Sequence, residues 1–273
     1  MKGTTAGADA ERFQREAEKY AAYLQSPEGR LRIDLAFANL QEFLPQDTAS
    51  LHALDLGGGT GAIAVRLAEL GLHVTLLDSS AAMLELATRA ARETGVAEKV
   101  VLKHGDTKHL ESLFAAGSFD LILCHNVLEF VDDPGTVLRR SARLLRDPFG
   151  LISILVRNRP GEVLKAALVN GDLTGARVNL TAEWGDESLY GGKVRLFTAE
   201  GLRSMLVAAS FALIAGRGVR VLADYLPTNI SRSHEYERIF ELERKLGRRA
   251  EFAAIARYTH CLARRTGAMN DGA

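Results

Sequence analysis

The sequence predicts an α/β protein built on a mostly parallel sheet, with helices on both faces and a helical cap at its N-terminus. Three observations carry this. In Leu51-His52-Ala53-Leu54-Asp55-Leu56-Gly57-Gly58-Gly59-Thr60-Gly61-Ala62 an apolar run reaches an acid, passes a glycine cluster and emerges in Ile63–Leu70, whose apolar spacing suits a helix. Two later apolar runs also finish on acids, at Asp78 and Asp106, so three carboxylates line one edge of a parallel sheet. Strand and helix patterns then alternate as far as residue 156, the rhythm of parallel strands joined by crossover helices.

Composition bounds the answer. At 273 residues, 47% hydrophobic and 25% charged, the chain suits one sizeable α/β domain with a small insertion. No apolar run approaches the roughly 18 residues of a membrane span, and Met1-Lys2-Gly3-Thr4-Thr5-Ala6-Gly7 lacks the apolar core of a signal peptide, so a cytoplasmic location without a membrane partner is expected. Cys124 and Cys261 are too few for a disulfide framework or a cysteine-rich metal site; reduced thiols and no metal are expected. Residues 151–273 hold 18 of the 34 basic and 13 of the 34 acidic side chains, a balance of +5 against −5 on residues 1–150. That mild basicity suits an anionic substrate, but a solvated helix face such as Glu241–Arg249 explains much of it equally well, and charge alone does not imply nucleic-acid binding.

In chain order, Phe13, Ala17, Tyr20 and Leu24 give residues 9–24 a helical spacing suited to a lid. Ser26-Pro27-Glu28-Gly29 breaks it, and Leu31 to Leu44 forms a second helix, ended by Pro45, with Arg30 and Arg32 at its beginning. Arg32 there either reaches a cofactor carboxylate or stays on the surface. The glycine turn lets bare backbone approach a ligand, and a nucleotide-like cofactor is expected on it. Gly57-x-Gly59-x-x-Ala62 also satisfies the dinucleotide fingerprint, and a ligand-free turn is the bland alternative. Asp55, which can take up a ligand ammonium through water or backbone and would repel a pyrophosphate, tilts the choice, as does the contiguity of Gly57, Gly58 and Gly59.

Leu72–Asp78 is a second strand whose terminal acid can accept hydrogen bonds from two ribose hydroxyls. Ser79-Ser80 caps the helix from Ala81, where Met83 is either core or packs on adenine. Val100–Asp106 is a third strand; Asp106, with Thr107 beside it, can accept from the adenine amino group. Ser118–His125 is a buried strand leading into Asn126-Val127-Leu128-Glu129-Phe130, and a helix follows Asp132-Asp133-Pro134 to Leu145. Residues 147–150 turn into a fifth strand at 151–156. Residues 160–195, with the sole Trp184, read as an inserted substrate cap, giving cap helices at 1–46 and a nucleotide-binding domain at 47–273. A capped helix from Phe197 to Ala209, strand segments at 211–217 and 218–221 leading to Asp224, and a closing strand at 254–263 complete the chain.

These features describe a Rossmann-like sheet, and its compact turn resembles the Asp-x-Gly-x-Gly-x-Gly motif of class I S-adenosylmethionine (SAM) methyltransferases. From about residue 10 to 265 the chain is similar, within that superfamily, to the bacterial tRNA 5-carboxymethoxyuridine methyltransferase (CmoM-like) family. The resemblance rests on Gly29-Arg30-Leu31-Arg32, Leu54–Gly59, Leu77-Asp78-Ser79-Ser80, His125–Phe130, Gly218-Val219-Arg220-Val221 with Asp224-Tyr225-Leu226, and Arg257-Tyr258-Thr259-His260. It implies the seven-stranded class I methyltransferase sheet, SAM as cofactor with S-adenosylhomocysteine as product, and SAM contacts from Arg32, Gly57, Gly58, Asp78, the Thr107-Lys108 pair and His125. The residues themselves add Asp55, Gly59, Met83 and Asp106 to that set.

The sulfonium of SAM is already activated, so the protein chiefly aligns a nucleophile with the methyl carbon and excludes water. An acceptor carboxylate, with a reference pKa of about 4, needs no general base, and His125 and Arg220 are then positioning residues. A phenol, amine or carbon acid would need a base, with His125 or Glu129 as candidates; a core histidine is the bland alternative for His125. Arg220, flanked by valines, either pairs with Asp224 or clamps the acceptor carboxylate through its planar fork. Two acceptors stay open: the carboxylate of 5-carboxymethoxyuridine at the tRNA wobble position, and a small carboxylate-bearing metabolite, favoured by the neutral net charge and the acidic Trp184-Gly185-Asp186-Glu187 stretch. A nicotinamide oxidoreductase and a SAM-binding protein without activity are the remaining alternatives, and assembly as a homodimer is left open.

Overall fold

The alternation of strands and helices is seen directly in the computed structural model, which describes residues 6–146, 150–187, 189 and 191–266. Three helices precede the first strand: α1 (Ala6–Arg15), α2 (Ala17–Gln25) and α3 (Pro27–Gln41). The single helix expected over 9–24 is interrupted at Glu16, whose φ of −103° and ψ of 11° lie outside the helical range. Ser26-Pro27 ends α2, as expected, and also opens α3, which therefore starts at Pro27 rather than Leu31. The Ser26 hydroxyl accepts from the Gly29 N–H at 3.1 Å, and Pro27 occupies the first helical position, where a missing N–H costs nothing. Arg32 therefore sits in the second turn of a helix that ends at Gln41, not at the start of one running to Leu44.

The chain divides into two compact units. One comprises Pro45–Ile154, Glu200–Ala215 and Cys261–Ala273. It holds β1 (His52–Leu56), α4 (Ala62–Glu69), β2 (His73–Asp78), α5 (Ala81–Glu93), β3 (Val100–His104), α6 (Leu110–Leu113), β4 (Leu121–His125), α7 (Pro134–Leu144) and the start of β5 (Leu151–Arg157). Strands β3, β2, β1 and β4 are parallel neighbours, with Asp55 opposite Leu76, Leu56 opposite Cys124 and Asp78 opposite His104. Leu54, Leu56, Leu67, Leu76 and Ile122 are fully buried, so apolar side chains drive this layer together. Ser80 and Asp133 cap α5 and α7 by accepting from Met83 and Thr136 N–H groups. The turn expected at Asp147-Pro148-Phe149 lies outside the described residues.

The other unit comprises Met1–Leu44, Leu155–Ala199 and Gly216–His260, so the N-terminal helices and the insertion share it with part of the C-terminal third. After β5 come α8 (Arg159–Leu164), a π-helical turn (Lys165–Val169), α9 (Leu173–Asn179) and an antiparallel hairpin of β6 (Trp184–Asp186) and β7 (Lys193–Arg195). Next are α10 (Ala199–Ala208), β8 (Phe211–Val219), α11 (Tyr236–Gly247), α12 (Ala250–Ala253) and β9 (Tyr258–Arg265). Leu31, Leu35, Leu155, Val219, Ile239 and Tyr258 form this unit's core.

The seven main strands run in the order β3-β2-β1-β4-β5-β9-β8. β9 is antiparallel to both neighbours: Asn158 N–H donates to Arg257 O and Arg265 N–H to Gly150 O on the β5 side, while Arg257 N–H donates to Arg220 O and Thr266 N–H to Ser210 O on the β8 side. The closing strand starts at Tyr258 rather than 254, because residues 250–253 form α12, and the segments expected at 211–217 and 218–221 are one strand that ends at Val219. No helix among the described residues is long and apolar enough to cross a membrane.

Candidate active site

The glycine turn after β1 has the geometry of a cradle. Gly57 has φ 59°, and a Cβ there would lie 2.7 Å from Val127 Cγ2. At Gly58 a Cβ would lie 2.7 Å from Asp55 Oδ2 and 2.6 Å from Leu76 Cγ. Bare backbone is required at both positions, for conformation at the first and for space at the second. Asp55 accordingly sits beneath the turn, 4% exposed, supporting it from below. Burial, and then the neighbouring Asp78 carboxylate, push its pKa up to about 7.

Asp78 closes β2. Its Oδ2 accepts from Gly59 N–H at 2.9 Å and its Oδ1 from Ser80 N–H at 2.8 Å. Burial raises its pKa against the lowering pull of those bonds. Beyond β3, Asp106 Oδ1 accepts from Lys108 N–H at 2.8 Å and from the Thr107 hydroxyl at 3.3 Å, capping a short 3₁₀ turn. Lys108 Nζ pairs with Asp132 at 2.9 Å. Met83 is buried in the first turn of α5. His125 ends β4, with Nε2 2.8 Å from the Ser153 hydroxyl on β5. Asn126 follows at φ 55° and donates to the buried Glu129 at 2.9 Å, a strained loop of the kind that collects at ligand sites. Because β1, β2, β3 and β4 are parallel, these groups all lie at one edge of the sheet.

SAM fits these residues. The glycine cradle leaves room that a Cβ would fill, and the Asp78 carboxylate, with about four acceptor positions and three main-chain donors, retains acceptor capacity for a ribose hydroxyl. Gly57, Gly58, Gly59 and Asp78 would hold the cofactor, with Met83 and the Asp106–Lys108 turn beside the base. Bound there, it supplies an activated methyl group.

Arg32 and Arg220 belong to the other unit. The Arg32 guanidinium donates to Tyr20 Oη at 2.8 Å and lies 5.3 Å from the Tyr23 ring centre and 5.7 Å from that of Tyr258. Arg220, at φ 60°, donates through Nε to Asp224 Oδ1 at 2.9 Å and through Nη1 to Tyr23 Oη at 2.9 Å, while Nη2 also meets Asp224. It thus forms the Asp224 ion pair, and an acceptor carboxylate would share a fork already engaged. Arg157 binds Glu162 at 2.9 Å and Glu187 at 2.5 Å, and Arg257 meets Glu162 at 2.5 Å and Asp224 at 3.6 Å. The cluster of Arg157, Arg257 and Tyr258 escaped the sequence reading as a site. Arg157 closing an otherwise apolar strand, and the Arg257-Tyr258 pair opening another, were its traces. Among the described residues no group of three or more His, Cys, Asp or Glu side chains could hold a metal, and both cysteines are buried and free.

Sheet order, glycine cradle and acidic strand end together define a class I SAM-dependent methyltransferase. Residues 54–152 match the family model of a methyltransferase domain. The chain is 30% identical over 257 residues to the tRNA 5-carboxymethoxyuridine methyltransferase of Escherichia coli strain K12, covering 91% of this chain and 94% of that protein. It belongs to that CmoM-like family. Solved structures share the fold: a Thermotoga maritima SAM-dependent methyltransferase, possibly acting on histamine, is 16% identical with TM-score 0.63, covering 94% of this chain and 99% of that one. Burkholderia thailandensis 1,6-didemethyltoxoflavin-N1-methyltransferase, with 1,6-didemethyltoxoflavin and S-adenosylhomocysteine bound, is 19% identical with TM-score 0.60, covering 97% and 92%.

Proposed function

We propose that this enzyme methylates a carboxylate oxygen of its acceptor, and that the acceptor is 5-carboxymethoxyuridine at the tRNA wobble position. The observation that carries the reading is the buried cluster of Arg32, Arg157, Arg220 and Arg257, which lies outside the generic cofactor-binding stretch and suits an anionic group. The extent of the similarity to the E. coli tRNA enzyme, across nine-tenths of both chains, supports the same acceptor. An ionised carboxylate is already the nucleophile, so the chain's work is to orient one oxygen toward the methyl carbon and keep water away. On this reading His125, held by Ser153, and Glu129, held by Asn126, position the loop after β4 and take no proton. A tRNA acceptor places the enzyme in the cytoplasm.

A small-molecule acceptor is the second reading, favoured by the zero net charge and by a shared fold with an enzyme of a small heterocycle. Mass spectrometry of tRNA nucleosides from a strain lacking this chain separates the two. Loss of the 5-carboxymethoxyuridine methyl ester, with accumulation of the free acid, is expected; an unchanged nucleoside profile favours the small molecule.

A further inference from the structure

His52 opens β1 and His73 opens β2, and the two stand opposite each other in the parallel pair. Register neighbours on adjacent strands share a face, so both side chains leave the sheet on the same side. Both are exposed, and their ring centres lie 5.3 Å apart with 24° between the planes. Among the described residues neither imidazole makes a hydrogen bond or an ion pair. By contrast, the rings of His104, His125 and His260 each lie within hydrogen-bond distance of a partner, Ser79 O, the Ser153 hydroxyl and the Asn39 amide. Strand spacing sets the separation of the pair, and that separation is also the one chelation needs. Two imidazoles whose nitrogens each lie about 2.0–2.1 Å from one tetrahedral ion have centres about 5 Å apart. Turning an exposed ring about its Cβ–Cγ bond is soft and leaves the centre nearly in place, so a nitrogen of each can face the gap without backbone movement.

We propose that His52 and His73 form a two-histidine site for a borderline transition-metal ion, Zn²⁺, Ni²⁺ or Cu²⁺, with water completing the coordination shell. Neutral imidazole suits these ions, whereas Mg²⁺ and Ca²⁺ take oxygen ligands. The Asp120 carboxylate beside the pair is already engaged: it accepts from His52 N–H at 2.8 Å and from Arg146 at 2.8 and 2.9 Å. Its role is to hold the main chain that carries one ligand. His73 N–H, donating to Leu51 O at 3.0 Å, holds the other.

The site is distinct from the one that holds the cofactor. His52 begins the strand whose far end leads into the glycine turn, about 13 Å further along at the rise of a strand. An ion between the two rings therefore ties β1 to β2 at the edge of the sheet opposite Asp78, and neither the cofactor nor the acceptor proposed above enters the inference. Because the second imidazole closes the chelate within one molecule, the pair should bind about a hundredfold more tightly than either ring alone. The two ligands are 21 residues apart in sequence, and only the strand register brings them together.

Calorimetric titration of the full chain, made without a histidine tag, with zinc chloride in a non-chelating buffer tests the proposal. One ion per chain is expected, with saturating S-adenosylhomocysteine present or absent and with magnesium chloride in excess. His52→Asn and His73→Asn should each weaken zinc binding about a hundredfold, and the double variant should lose little more, because either substitution already opens the chelate. A second measurement needs no variant: one equivalent of Cu²⁺ on the wild-type chain should give an electron paramagnetic resonance spectrum with two imidazole nitrogens on the ion. The proposal is overturned if either single variant binds zinc as tightly as the wild type, if magnesium or S-adenosylhomocysteine displaces the zinc, or if Cu²⁺ carries one imidazole or none. Neither measurement uses tRNA or turnover, so failure here is distinct from failure of the tRNA reading.

Discussion

The Asp78 carboxylate accepts from the main chain of Gly59, Ser79 and Ser80, and on the proposed reading its remaining lone pairs take the ribose hydroxyls. Asp78→Ala removes those acceptors and should weaken SAM binding by about 1.5–3 kcal/mol, read by calorimetry on the folded variant; unchanged affinity would move the ribose elsewhere. Asp55 leads to a pH effect. Its carboxylate, raised to about 7, favours the neutral form in the folded protein, so its stabilising contribution is complete below about pH 4 and lost as pH rises through about 7. Asp55→Asn should therefore flatten the fall in unfolding free energy across that window, a relief of up to about 4 kcal/mol, measured by denaturant titration at several pH values. The cationic cofactor favours ionised Asp55, so wild-type SAM affinity should rise through the same window while the variant's stays flat. The three strand-end acids were legible because an ionisable residue closing an apolar run stands out. Tyr258 was not, because Arg32, Arg157 and Arg220 reach it from three separated stretches of chain and no local spacing records their convergence.

At the scale of elements, periodicity found the strands of the nucleotide-binding half because each is apolar and bounded by an acid or a turn. It misplaced boundaries where one residue type serves two purposes. Ser26-Pro27 looks like a breaker yet starts α3, and Ala254–Arg257 looks like strand yet precedes it. The turn after β8 depends on a partner far along the chain: the fully buried Glu243 of α11 accepts from Val221, Leu222 and Ala223 N–H groups at 2.6, 2.9 and 2.7 Å. Those bonds fix the backbone that carries Arg220 at positive φ and Asp224. Glu243→Ala strands three main-chain donors, two of them buried, and should cost about 3 kcal/mol of stability by denaturant titration, with Glu243→Gln losing less; equal stability of all three chains would show that the turn holds without the carboxylate.

For the whole molecule, the class of fold and the cofactor follow from features close together in sequence, a glycine turn and an acid about 20 residues on. On the proposed reading the acceptor is recognised by the other unit, assembled from three stretches separated by more than a hundred residues in places, which is why composition and charge left it open. The bond made and the molecule that carries it test the proposed acceptor together. A methyl ester on a carboxylate is cleaved by mild alkali, whereas a methyl group on nitrogen, carbon or an ether oxygen survives it. Purified enzyme is incubated with methyl-labelled SAM and tRNA from a strain lacking this chain, and the recovered tRNA is treated with mild base. Label incorporated into tRNA and released as volatile methanol is the predicted result; no incorporation, or label that stays on the nucleosides after base, would contradict carboxylate methylation of tRNA.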